Sequence, residues 1–149
     1  MAVDAEGNPA FIDKNNKIHR KLKGEKWTEL NGCASYISFG GDGSLWKEDC
    51  EDFKLKKLDE NDKWVTFGGT KYASAVAVDD RGTPWIVDYG KKVLRYSETT
   101  NSWEEMGLEQ ADRIAVGSSD HVYALKKSKK LQGHYEIYRW LEGTNWMLI

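Results

Sequence analysis

Val76-Ala77-Val78-Asp79-Asp80-Arg81-Gly82-Thr83-Pro84-Trp85-Ile86-Val87-Asp88 is the stretch that decides the fold class of this chain. β-Branched and aromatic residues flank Asp79-Asp80-Arg81-Gly82, whose Asp and Gly suit a tight turn. Two short strands joined by a hairpin is the direct reading. The phrase recurs. Ile37-Ser38-Phe39 precedes Gly40-Gly41-Asp42-Gly43, and Ile114-Ala115-Val116 precedes Gly117-Ser118-Ser119-Asp120. Ala2-Val3 precedes Asp4-Ala5-Glu6-Gly7. One pair aligns without a gap: Gly7-Asn8-Pro9-Ala10-Phe11-Ile12-Asp13 with Gly82-Thr83-Pro84-Trp85-Ile86-Val87-Asp88. Lys17-Ile18-His19-Arg20 then aligns with Lys92-Val93-Leu94-Arg95.

Extended outward, the stretch belongs to a unit of four alternating runs, 74–79, 83–88, 92–97 and 103–106. The fourth run opens on a Trp after a polar turn, and that Trp recurs as Trp27, Trp64, Trp103 and Trp146. A basic residue keeps the same phase seven or eight positions earlier, at Arg20, Lys57, Arg95 and Arg139. The chain therefore divides into four units, approximately 1–31, 32–69, 70–109 and 110–149. A four-stranded unit about every forty residues is the pattern of a β-propeller blade. The expectation is one all-β domain over 1–149, with four antiparallel blades, sixteen strands and no helix longer than two turns. A β-sandwich would leave the common phase to chance, and a β-trefoil needs three units. The recurring Trp are expected to pack between neighbouring blades, with Trp64 and Trp103 largely buried.

Composition narrows the function classes. Lys plus Arg number 22 and Asp plus Glu 24, a net charge of −2, without the basic excess of a general nucleic-acid binder. No apolar run approaches the length of a membrane span. The first residues carry acids where a signal peptide carries basic and then apolar residues, so the expectation is a cytoplasmic protein. In a hairpin centred on Gly41-Asp42, Cys33 and Cys50 lie directly opposite one another. Proximity with free thiols is the expectation, because cytosolic thiols stay reduced.

The units resemble the tectonin repeat family. Ala34-Ser35-Tyr36-Ile37-Ser38-Phe39-Gly40-Gly41-Asp42-Gly43-Ser44-Leu45-Trp46 carries the resemblance best, and Ala111-Asp112-Arg113-Ile114-Ala115-Val116-Gly117 also fits. The resemblance implies a propeller that acts by binding. Members of that family include lectins for surface saccharides and repeats within membrane-trafficking and cytoskeletal proteins. Their rings usually have more blades, often six. Four units are consistent with a compact ring, an open arc, or part of a ring completed by another chain.

Two functions follow as expectations. The first is lectin-like recognition of glycans or glycolipid headgroups through the loop face, with Trp46, Trp85, Trp140 and Tyr123 as ligand-binding candidates. The second is a scaffold subunit of a larger assembly, with protein partners or self-association. Two charge clusters are partner-binding candidates: an acidic one containing Glu48 and Asp49, and a basic one of Lys126, Lys127, Lys129 and Lys130. Leu148 and Ile149 join them, because an apolar terminus is expected to be covered. No catalytic set is visible, so the expectation is a non-enzyme. Ser118-Ser119-Asp120-His121 is local in sequence, whereas a triad converges from separate elements. Two Cys and three scattered His do not supply a metal site. The Asp-rich turns lack the spacing of a calcium loop, and no cofactor is called for.

Overall fold

The computed structural model describes residues 1–69, 71–129 and 133–149. Every element among them is a β-strand, and the sheets are antiparallel throughout. The first sheet runs in chain order through β1 (Ala2–Val3), β2 (Pro9–Ile12), β3 (Lys17–Arg20), β4 (Thr28–Phe39), β5 (Leu45–Asp49), β6 (Leu55–Leu58) and β7 (Trp64–Thr66). The second comprises β8 (Ala73–Val78), β9 (Pro84–Asp88), β10 (Val93–Ser97) and β11 (Ser102–Glu105). The third comprises β12 (Ala111–Ser118), β13 (His121–Lys127), β14 (Tyr135–Glu142) and β15 (Asn145–Leu148).

The expected sixteen strands appear as fifteen because β4 joins two of them. Its first residues pair with β3, from Arg20↔Thr28 to Ile18↔Leu30. Its last residues pair with β5, from Phe39↔Leu45 to Tyr36↔Glu48. Gly32 lies in the irregularity of the first ladder between Ile18↔Leu30 and Lys17↔Cys33, at φ +80°, a conformation that a side chain disfavours. A Cβ there would also stand 2.9 Å from Lys47 Nζ.

The turns are closed by their aspartates. Asp13 Oδ1 accepts from the Asn15 and Lys17 N–H groups, Asp59 Oδ1 from Asn61 and Lys63, and Asp79 Oδ1 from Arg81 and Thr83, all at 2.8–2.9 Å. Each carboxylate thus holds its own hairpin in an Asx turn. That accounts for the Asp-rich turns, and no group of metal-ligating side chains forms among the described residues.

The core lies in three clusters. One fills the bend of the first sheet with Ile18, Leu30, Ala34 and Leu45. The next packs Trp46 and Leu55 against Val76, Val78, Ile86 and Leu94 of the second sheet. The last packs Trp85, Val87 and Val93 against Ile114, Val122, Ala124 and Trp140 of the third. The strands at the two outer edges, β1 and β15, pair only with β2 and β14, so the sheets do not close on one another.

Candidate protein-docking surface

Three of the four aromatic ligand candidates prove to be core residues. Trp85 is fully buried, edge-on to Trp140 at 5.3 Å, with the Arg95 guanidinium 5.6 Å from its ring. Trp46 is buried edge-on to Phe67, and its Nε1 donates to Ser44 Oγ at 2.7 Å. Trp140 is buried and donates to the Gly143 carbonyl at 3.0 Å. None presents a free ring face for a sugar to stack on. Each sheet is covered on the side these rings occupy, so the irregular Trp fill space between sheets. Tyr123 alone remains half-exposed.

The acidic candidates are also corrected. Glu48 and Asp49 end β5 and are buried, instead of forming a solvated loop. Asp49 Oδ2 meets Lys47 Nζ at 2.8 Å and Lys56 Nζ at 3.0 Å. Burial pushes the Asp49 carboxyl upward, but hydrogen bonds from Lys47 and Lys56 outweigh it and hold the group well below the usual range. Lys47 is equally enclosed. It donates to the Cys33 carbonyl at 2.8 Å and lies 4.7 Å from the centre of the Trp64 ring. Glu48 points the other way, and its Oε2 has no hydrogen-bond partner. Burial pushes its carboxyl up to about 7, against the opposing charge of Arg113. These charges are enclosed in the strand region instead of lying in a solvated loop.

Cys33 and Cys50 form a disulfide, with Cα atoms 5.5 Å apart, where free thiols were expected. Near the turn the ladder is offset by one residue from a hairpin centred on Gly41-Asp42. An irregularity between Ala34 and Tyr36 absorbs the offset, so Ala34 faces Asp49 and the cysteines meet. A bond of this kind persists in an oxidising setting.

Among the basic candidates, Lys126 is half-buried over Tyr138, while Lys127 and Lys129 are exposed. Lys130 lies outside the described residues. No helix among the described residues is long and apolar enough to cross a membrane.

The recurring Trp share one bond that sequence inspection missed. Trp64 Nε1 donates to the Asn31 carbonyl at 2.8 Å, Trp103 to Gly68 at 3.0 Å, and Trp146 to Met106 at 2.7 Å. Each ring is half-buried, where Trp64 and Trp103 were expected to be enclosed. The indole N–H is pinned to the residues that follow the previous Trp run, and the ring covers that junction from outside. Trp27 differs. It is 48% exposed, packs edge-on to Phe11, and has no hydrogen bond to its indole among the described residues.

Tyr135, Ile137, Leu141, Met147, Leu148 and Ile149 are exposed apolar residues on or just after the last two strands of the third sheet. In the second sheet, Ala77, Trp85 and Arg95 lie in one cross-strand row, and Ala75, Val87 and Val93 in the next. The matching rows of the third sheet are Ala115, Tyr123 and Arg139, then Arg113, Leu125 and Ile137. The second-sheet rows are covered by the third sheet. In the third-sheet rows Ala115 and Ile137 are exposed, Tyr123, Leu125 and Arg139 are half-exposed, and the Arg113 guanidinium lies over the Tyr36 ring at 5.0 Å. Ile137 and Leu141 are exposed, as are Met147, opposite Arg139, and Ile149, whose N–H bonds to the Ile137 carbonyl. Leu148 and Ile149, expected to be covered, are 51% and 67% exposed. Leu148 lies opposite Tyr138 on the other side of the sheet, while Ile137, Leu141, Met147 and Ile149 share a face with Arg113 and Arg139 that has no second layer among the described residues.

The chain matches no family model and no curated protein, so the resemblance to tectonin repeats gains no support. Among solved structures it is similar to virginiamycin B lyase from Staphylococcus aureus, with a TM-score of 0.67 at 16% identity over 99% of this chain and 53% of that one. It is also similar to the WD40 repeats of RRP9, with a TM-score of 0.66 at 12% identity over 95% and 47%. A third similar structure, YCF48 bound to D1 peptide, gives 0.64 at 16% over 95% and 49%. The chain thus spans about half the length of these neighbours. The lyase corrects the expectation of a non-enzyme, since an enzyme shares this architecture and the fold does not exclude catalysis. What these likenesses show is the fold of this chain, that of a β-propeller.

Proposed function

We propose that the chain is a protein-interaction module. It consists of four four-stranded propeller units in an open arc, and it docks through the outer face of β12–β15. The units are β1–β3 with the start of β4, the rest of β4 with β5–β7, β8–β11, and β12–β15. One observation carries the reading. Rows of side chains buried on the second sheet are matched on the third by a face whose Ile137, Leu141, Met147 and Ile149 are left in water beside Arg113 and Arg139. Exposed apolar side chains grouped in this way among polar ones support an interaction surface. Neighbours of this fold lend support, since one of them is a structure with a bound peptide. Lectin-like binding is not carried forward, because Trp46, Trp85 and Trp140 are internal.

The test is site-specific photo-crosslinking. Ile137 and Met147 are replaced, one at a time, by a benzophenone amino acid, with Glu60 in an exposed turn as control. Polypeptide adducts at 137 and 147 but not at 60 are expected. A face that yields no polypeptide adduct overturns the proposal.

A further inference from the structure

The open face has a counterpart at the opposite edge of the molecule. Between successive groups of strands, the outer face of one receives the inner face of the next. The inner-face row is Lys47↔Lys56 in the first sheet, Ile86↔Leu94 in the second and Ala124↔Tyr138 in the third. Lys47, Ile86, Leu94 and Ala124 are buried in this way. The equivalent row at the start of the chain is Phe11↔His19. Those rings stack at 4.9 Å, with Trp27 edge-on to Phe11 at 5.0 Å. This aromatic row has the position of an inner face but receives no other sheet among the described residues.

We infer that a second copy of this chain fills both vacancies, head to tail: the outer face of β12–β15 in one copy packs on the Phe11-His19-Trp27 face of the other. The inference rests on the reading of β12–β15 as a docking face. Four observations favour this occupant. First, one face is aliphatic and the other aromatic, the pairing of kinds used where the second sheet's Ile86 and Leu94 meet Trp46. Second, the Trp device is complete in three instances and lacks only an acceptor at Trp27. The acceptors Asn31, Gly68 and Met106 lie three or four residues after the previous recurring Trp. Three residues after Trp146 stands Ile149, beside the exposed Met147 and Leu148. Third, charge is complementary in the register used inside the molecule. Arg20 crosses to Asp62, two residues before Trp64, at 3.0 Å. Arg139 holds the phase of Arg20, and the residue two before Trp27 is the exposed Glu25. Arg139 Nε is buried with no partner. Fourth, the chain covers 47–53% of its propeller neighbours, so two copies supply about the length of one. A head-to-tail contact that closes after two copies makes a finite ring.

The test uses the full chain and two variants, each disabling one face: Trp27→Asp for the head and Ile137→Glu for the tail. Sedimentation at micromolar concentrations is expected to give twice the single-chain mass for the unaltered protein. Each variant alone should weaken association at least tenfold. Mixing the two should restore association, because the mixture retains one intact head and one intact tail. Recovery on mixing also shows that both variants are folded. The charged pair is a second check. Glu25→Arg and Arg139→Glu should each loosen the dimer a few-fold, and mixing or combining them should recover it. A monomeric protein overturns the inference, as does a dimer that neither variant weakens or that mixing does not restore. If the protein is monomeric but position 137 still crosslinks a different polypeptide, the docking face stands and its occupant is another protein. If it is monomeric and crosslinks nothing, both readings fail.

Discussion

At the scale of single residues, Glu48 and Trp103 show how partners decide what a side chain does. Glu48 is buried beside Arg113 and Tyr89, and burial raises its carboxyl from the ordinary 4.5 to about 7. The native state therefore holds a proton that the unfolded chain releases between pH 4.5 and 7. Stability should fall as pH rises through that window and level off above it. The full shift corresponds to about 3 kcal/mol, and residual water around the cluster screens it to about 2 kcal/mol. Unfolding free energies from urea titrations at pH 5 and pH 8 should differ by about that much, and Glu48→Gln should remove most of the difference. Asp49 has the opposite sign, because its carboxyl is held low, so its contribution disappears only at strongly acid pH. For Trp103, replacement by Phe keeps most of the ring but removes the donor to the Gly68 carbonyl. A loss of about 1 kcal/mol is expected, the net worth of one hydrogen bond, since the carbonyl regains water. A urea midpoint indistinguishable from the unaltered protein would show that the indole N–H contributes nothing.

At the scale of elements, β4 and β5 carry unusual chemistry for the middle of a sheet. Their inner side presents Lys47 and Asp49, with Lys56 on β6, where the second sheet presents Ile86 and Leu94. A buried ion pair is costly to break from one side, because the remaining charge stays enclosed. Asp49→Ala should therefore destabilise by about 3–5 kcal/mol, with the melting transition as readout, and far more than Asp59→Ala in an exposed turn. The disulfide clamps these two strands to one another across seventeen positions of sequence. Replacing both cysteines by Ser should cost about 3 kcal/mol through the freedom returned to the unfolded chain. Denaturant unfolding with and without reductant gives the same comparison on the unaltered protein.

At the scale of the whole molecule, the core lies in three clusters, and among the described residues no further sheet lies on the outer face of β12–β15 or on the Phe11-His19 row. Association through those faces links stability to concentration. The melting temperature should rise by about 2 °C for each tenfold increase in protein. Ile137→Glu should abolish that dependence while leaving the melting point at high dilution nearly unchanged, since Ile137 already stands in water. A melting point independent of concentration in the unaltered protein would count against any self-association.

The amino-acid sequence alone determined that this is an all-β repeat protein, because its signals are local. Strand alternation, Asp-led turns such as Asp79-Asp80-Arg81-Gly82 and the phase of the four recurring Trp each act within a few residues. It also brought Cys33 near Cys50 through the hairpin that joins their strands, although their direct pairing depends on the irregularity between Ala34 and Tyr36 that only the structure shows. The tertiary structure alone decided which aromatic rings face water. In stacked sheets both sides of a strand can be buried, so period-2 alternation does not say that Trp46 and Trp85 are inside while Met147 is outside. Nor could the acidic run at 48–52 be told from a solvated loop, because the lysines that neutralise Asp49 reach it across the ladder. The open face of β12–β15 was equally hidden. Tyr123, Leu125 and Ile137 occupy the rows that Trp85, Val87 and Val93 occupy one sheet earlier, and what distinguishes them is only whether another sheet lies on top.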